Sequence, residues 1–301
     1  MSEAKSSIGF PELVLQEDFV QEFDPLTNSV ARNELVVGSK IRVIDQIDVS
    51  NNLIIKLLEA GSNAIFIDLR LSEGLSGVAE HLLHGVELSL IKSFFWLRDD
   101  QNESFRDQIG RFLPQQSVYL VGNEPGQNQA IKIEAEQDAV AQIGCILRSI
   151  LAVSRTVEDS ETFEHPILLP LSDHYFENLA KLRAVKILHN LMQSNLDNCK
   201  CNLQLFGYDA KATADHADLI SMSSRTVSAL SGNADGVFMG PWVCTEADLD
   251  MGISSVHSAL VMQYETDLLT TRDPAAGSYF FEKCTDQLAK AAWREFKINL
   301  S

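Results

Sequence analysis

Eight short, mostly continuous apolar runs punctuate this chain of 301 residues, and helix-like segments separate most of them. The runs fall at residues 41–44, 64–67, 93–97, 118–121, 167–169, 203–206, 236–239 and 279–281. A strand with one wet face alternates polar and apolar residues, whereas a run that is apolar throughout needs cover on both faces. Strands of that kind alternating with helices predict a parallel sheet, and eight of them predict an α/β chain closed into a (β/α)8 TIM barrel. A doubly wound open sheet is the competitor, but no glycine-rich phosphate loop follows the first run.

The segments between the runs carry helix signals. Asn51 or Asn52 is placed to cap a helix over 53–58, with Gly61 as its stop. Phe176, Leu179, Ala180, Arg183, Ala184, Ile187 and Leu191 share one helix face, with Ser172 or Asp173 as cap and Glu177–Lys181 as an i,i+4 pair. Thr285 is placed to cap a final helix that buries Leu288, Ala291, Ala292 and Phe296. Residues 1–38, broken by Pro11, Pro25 and Asn28, read as an N-terminal arm, leaving 39–301 for the barrel.

Charge narrows the function classes. A net charge of −18 would repel phosphates rather than neutralise them, so nucleic acid is not an expected partner. The opening residues are polar, without a signal-peptide pattern, and no apolar run approaches the roughly 20 residues of a membrane span. Five scattered cysteines, Cys145, Cys199, Cys201, Cys244 and Cys284, fit free thiols in a reducing cytoplasm. The Cys199-x-Cys201 pair lacks the spacing and the second ligand pair of a zinc site, so no metal is expected.

Other local patterns resolve to structure rather than chemistry. The hydroxyl cluster at 221–226 has no glycine-flanked elbow and reads as a helix start. Gly122-Asn123-Glu124-Pro125-Gly126 has no lysine and carries an acid, so it reads as a turn at a strand exit. His174 and His257 are acid–base candidates by residue type but sit beside helix positions where surface or capping roles are the rule.

Four segments together resemble the methylmalonyl-CoA mutase family of adenosylcobalamin-dependent acyl-CoA mutases. Ile41-Arg42-Val43-Ile44-Asp45-Gln46-Ile47-Asp48, continued by Leu57-Leu58-Glu59-Ala60-Gly61-Ser62-Asn63-Ala64, resembles the opening strand, helix and second strand of the mutase small subunit. The segment from Tyr175 to Ala184 is similar to the family's helix after the fifth strand. The string Leu230-Ser231-Gly232-Asn233-Ala234-Asp235-Gly236 resembles its turn into strand seven. Asp273-Pro274-Ala275-Ala276-Gly277-Ser278-Tyr279-Phe280-Phe281-Glu282 resembles its last barrel strand, which places Glu265, Asp273, Ser278 and Tyr279 at the barrel mouth or the adenosyl-facing strand. Read without the resemblance, Asp273 caps a turn, Gly277 supplies a positive φ and Tyr279 fills the core.

The resemblance implies a barrel that takes acyl-CoA through its centre, and a separate cobalamin domain marked by Asp-x-His-x-x-Gly. That motif does not occur here; Asp173-His174 and Asp215-His216 have the wrong spacing. The family's Ala-Arg-Asn-Thr-Gln segment is replaced by Val256-His257-Ser258-Ala259-Leu260. Its Thr-Ser-x-x-x-x-Thr stretch is replaced by Phe206-Gly207-Tyr208-Asp209-Ala210. The expectation is therefore a small, non-catalytic barrel subunit that pairs with a catalytic mutase subunit, with adenosylcobalamin on that partner and no cofactor on this chain. The alternative is the acyl-CoA-binding half of a split mutase, using arginines such as Arg183 or Arg225 for the CoA phosphates. A barrel enzyme of unrelated chemistry is the third reading.

Overall fold

Eight parallel strands close on one another in chain order: β1 (Val36–Arg42), β2 (Ala64–Asp68), β3 (Lys92–Trp96), β4 (Val118–Gly122), β5 (Gln129–Lys132), β6 (Phe163–Leu171), β7 (Cys201–Asp209) and β8 (Gly236–Phe238). Closure is made by β8 on β1, with Val36 opposite Gly236 and Gly38 opposite Phe238. The computed structural model describes residues 35–44, 47–72, 78–98, 105, 108, 118–122, 129–156, 163–195, 201–211, 218–271 and 273–298. Among these, the helices are α1 (Ile47–Glu59), α2 (Val78–Leu82), α3 (Ala139–Thr156), α4 (Tyr175–Asn195), α5 (Asp218–Ser231), α6 (Glu246–Glu265) and α7 (Tyr279–Ile298). The expected (β/α)8 barrel is the architecture found.

Seven of the eight expected runs lie in or overlap strands. The eighth does not: Tyr279, Phe280 and Phe281 open α7, and no part of 273–282 closes the barrel. An aromatic triplet suits a strand by propensity, but here it continues into the helical spacing of Thr285, Ala289, Ala292, Trp293 and Phe296, all buried. That face packs on α3 and α4. The strand missing from the sequence reading is β5, only four residues long with polar ends. β4 ends at Gly122 and β5 begins at Gln129, and the six residues of sequence between them carry no helical apolar pattern to announce a further strand. In consequence α4 follows β6 rather than a fifth strand, and the turn at 230–236 leads into β8 rather than a seventh.

Helix starts also differ from expectation. α1 begins at Ile47, and Asn51 lies inside it, donating through Nδ2 to Leu82 O at 2.7 Å and His84 O at 2.9 Å. It ties α1 to the end of α2 instead of capping. Gly61 does end α1, at a φ of 102° that only glycine adopts without strain. At α4, the Ser172 hydroxyl accepts from the His174 backbone N–H at 3.2 Å, and Asp173 turns away to Arg225. Lys181 is buried and donates to Gln142 Oε1 and Pro170 O at 2.7 Å each, not to Glu177. Phe176 faces outward, while the rest of that face is buried. Thr285 lies within α7 and accepts from Arg183 rather than capping. β1 starts at Val36, inside the stretch read as an arm; residues 1–34 lie outside the described residues.

Two apolar layers lie between strands and helices. One joins Ile41 of β1 and the outward side chains of β2–β4 to α1 and α2, and the other joins Val37 of β1 and the outward side chains of β5–β8 to α3, α4, α5, α6 and α7. A third cluster, of different composition, fills the lumen.

Candidate functional site: the lumen and mouth of the barrel

Barrels of this kind present functional groups where the strands end, so the lumen and its C-terminal mouth are where a site belongs. The lumen divides into three levels. Near the strand starts, Lys92 Nζ donates to Gln204 Oε1 at 2.9 Å and lies 3.4 Å from Glu164 Oε2, while the Tyr119 hydroxyl donates to the same Glu164 oxygen. Burial, reinforced by Glu164, pushes the Tyr119 hydroxyl far above its ordinary pKa. It is a fixed proton donor in this network.

The middle level is aromatic. Phe94 lies 5.2 Å from Phe206 and 5.3 Å from Phe238 between ring centroids, and Phe66 lies 5.9 Å from Phe238. Edge-on rings at those spacings are in contact. The backbone leaves no slack around them. A Cβ at Gly38 would overlap the Phe238 ring, and one at Gly236 would come within 2.7 Å of Phe206. Glycine is required at both positions because the rings occupy the space a side chain would take.

At the mouth, Trp96 from β3 and Trp242 from the segment after β8 sit 6.4 Å apart over Phe66. Cations cover them: the Arg70 guanidinium lies 3.1 Å and Lys132 Nζ 4.5 Å from the Trp96 centroid, and Arg42 lies 4.9 Å and Lys40 5.5 Å from that of Trp242. Asp68, fully buried at the end of β2, accepts from Arg42 Nε at 3.1 Å and from Arg70 Nε and Nη2 at 2.9 Å. Burial alone would raise the Asp68 pKa, but the Arg70 hydrogen bonds and the two guanidinium charges hold it below the usual range. Lys40 donates to Asp209 O, and burial lowers its pKa to about 8 against the attraction of Asp209.

This column is filled, so a ligand threaded along the axis would have to displace its rings. Among the described histidines, His81, His84, His174 and His257 are exposed, and His165 and His189 are buried behind the barrel wall. No histidine among the described residues is placed in the lumen to ligate cobalt. Among the described residues, no group of three or more His, Cys, Asp or Glu could hold a metal ion.

The residues expected at the mouth are elsewhere. Glu265 is the last residue of α6, whose first turn lies at the mouth; at ~1.5 Å per residue it sits about 28 Å away. Asp273 belongs to the α6–α7 connection, where its carboxylate accepts from Arg183 Nη2 at 2.6 Å and from Ala275 N–H at 3.1 Å. The expected turn is there, with Gly277 at a φ of 78°. Ser278 precedes α7, and Tyr279 is 94% exposed rather than in the core. Arg183 and Arg225 are also committed. Arg183 is buried against Asp273, Glu282 and Thr285, and Arg225 pairs with Asp209 and Asp173. Neither is available to a CoA phosphate. The cluster at 221–226 lies inside α5, and Gly122 ends β4, while residues 123–126 lie outside the described residues. The sequence reading missed Lys40, Arg42, Asp68, Arg70, Trp96 and Trp242. The available signal was the period-two spacing of Lys40 and Arg42 at the end of a strand.

The fold and this lumen define a closed (β/α)8 barrel whose axis is occupied by its own side chains. Comparison with known proteins narrows the class. Residues 168–298, from β6 to α7, match the family described as Methylmalonyl-CoA mutase. The Methylmalonyl-CoA mutase small subunit of Propionibacterium freudenreichii subsp. shermanii is 24% identical over 242 residues, covering 76% of this chain and 36% of that protein. The Methylmalonyl-CoA mutase of Rhizobium meliloti (strain 1021) is 24% identical over 130 residues, covering 40% of this chain and 18% of that protein. All three matches make this chain similar to methylmalonyl-CoA mutases. The aligned stretches span about a third or less of the relatives' length.

Proposed function

We propose that this chain is the non-catalytic barrel subunit of a methylmalonyl-CoA mutase-type isomerase, pairing with a larger catalytic subunit that carries adenosylcobalamin. The carrying observation is the filled lumen, with Phe66, Phe94, Phe206 and Phe238 on the axis under a Trp96–Trp242 cap. Arg183 and Arg225, the two cations considered for CoA, support the same reading because each is neutralised by two carboxylates. The name of the Propionibacterium relative, a small subunit, agrees with it. The split-mutase alternative needs an open axis, and the ring column speaks against it. On this reading the protein is cytoplasmic and binds neither nucleic acid nor membrane; among the described residues no helix is long and apolar enough to cross one.

The test is co-purification from native lysate with mass spectrometry, paired with assay of the isolated chain. A larger polypeptide carrying Asp-x-His-x-x-Gly is the expected companion, and the chain alone is expected to show no isomerisation of methylmalonyl-CoA with added adenosylcobalamin. Turnover by the isolated chain would overturn the proposal.

A further inference from the structure

The first turns of α4 and α7 bring five aromatic residues together on the outer surface: Tyr175 and Phe176 from one, Tyr279, Phe280 and Phe281 from the other. The ring centroids of Phe176 lie 5.2 Å from Phe280 and 5.6 Å from Phe281, and Phe280 lies 5.7 Å from Phe281. These are not core residues reaching the surface by an edge. Phe176 and Phe280 are each 54% exposed, alongside the almost fully exposed Tyr279. A contiguous aromatic patch of this kind, rimmed by polar groups, marks an interaction surface.

Its scaffold is rigid. Arg183, on α4, donates to Asp273 at 2.6 Å and Glu282 at 3.0 Å and to Thr285 at 3.2 Å, so a buried ion cluster clamps the start of α7 to α4 directly behind the rings. Aromatic side chains held this way lose little further freedom on binding.

Charge decides what can cover it. Asp173, Glu177 and Glu282 are exposed around the rings, with Lys283 as the exposed base beside them. Arg225 is shared by Asp173 and Asp209, and Arg183 by Asp273 and Glu282, so each cluster keeps a net negative charge. A second copy would bring another acidic rim and a second net charge of −18. The chain's own residues 1–34 hold seven carboxylates against one lysine and one arginine. Like charges facing one another across an interface are unfavourable, so both occupants are disfavoured.

We propose that this aromatic face is a protein-docking surface whose occupant is a different chain, presenting an apolar pocket rimmed by lysine or arginine. On the proposed function, which this inference rests on, that chain is the catalytic subunit.

The experiment compares capture of the cobalamin-motif polypeptide from native lysate by three full-length baits: the unaltered chain, Phe176→Ser/Phe280→Ser, and Ile220→Ser as an exposed control on α5. The expected result is at least a ten-fold loss of capture with the double variant, unchanged capture with the control, and loss that deepens with added salt. Equal capture by all three would overturn the docking face and leave the proposed function standing. Failure of the unaltered chain to capture that polypeptide would overturn both. Melting by circular dichroism checks folding; if the double variant melts early, Tyr279→Lys, at a nearly fully exposed position, replaces it with the same expected loss. Concentration-dependent dimerisation of the unaltered chain that Tyr279→Lys abolishes would instead assign the face to a second copy and refute the commitment to a basic partner.

Discussion

Truncating Phe94 to alanine tests whether the barrel axis is solid. The Phe94 ring is fully buried, facing Tyr119, Phe206 and Phe238 at centroid distances of 5.2–5.3 Å. Three of its neighbours are themselves rings anchored to different strands, so collapse into the vacated space requires several strands to move. The transfer and cavity contributions then add, and the expected loss is about 3–5 kcal/mol. For a domain of this size each kcal/mol lowers the melting point by about 2–4 °C, so a fall of roughly 6–20 °C is expected. Urea unfolding followed by circular dichroism reads the same quantity independently, with the m-value unchanged because the unfolded surface hardly alters. Benzene should partly restore the melting point, since an apolar cavity of this kind stays dry and accepts such a ligand. A loss below about 1 kcal/mol, or an unaltered melting point in benzene, would show that the column is not packed. The principal support for a non-catalytic barrel would then fall.

Gly38→Ala should cost about 1–3 kcal/mol in the same denaturation assay, because its Cβ meets the Phe238 ring; a neutral result would contradict the tight axis. Burial lowers the pKa of both His165 and His189 to about 4 from an ordinary 6.5, so the unfolded chain takes up protons that the folded one refuses between those limits. Stability is therefore full above about pH 6.5 and should fall as the pH drops toward 4, by an order of 3 kcal/mol for each histidine; a flat melting profile over that window would refute it. Asp68→Asn removes the shared carboxylate of Arg42 and Arg70; because both guanidinium groups are about a third exposed, solvent screening limits the loss to about 1–2 kcal/mol. A change in tryptophan emission should accompany it as Arg70 leaves the Trp96 face, and unchanged emission would argue against that stacking. Arg183→Met leaves Asp273 and Thr285 without their buried donor and should cost about 3–5 kcal/mol, with protease cleavage near 266–278 as the early sign.

Much of the architecture was legible in the residues. Continuous apolar runs separated by helical periodicity required strands covered on both faces, and seven runs are barrel strands in the order expected. The turn chemistry of Asp273 and Gly277 and the stop at Gly61 followed from local rules that hold whatever surrounds them. Short-range signals failed where tertiary contact outweighed propensity: β5 is too short to announce itself, and Tyr279, Phe280 and Phe281 form a helix turn because the closing position beside β1 is taken by β8. What the tertiary structure alone decided is the content of the axis. In a strand buried on both sides, inward and outward residues are equally apolar, so the run that reveals the strand conceals which side chains meet in the lumen. Phe66, Phe94, Phe206 and Phe238 lie on four different strands, and only barrel closure, with its register and stagger, brings them into one column along the axis.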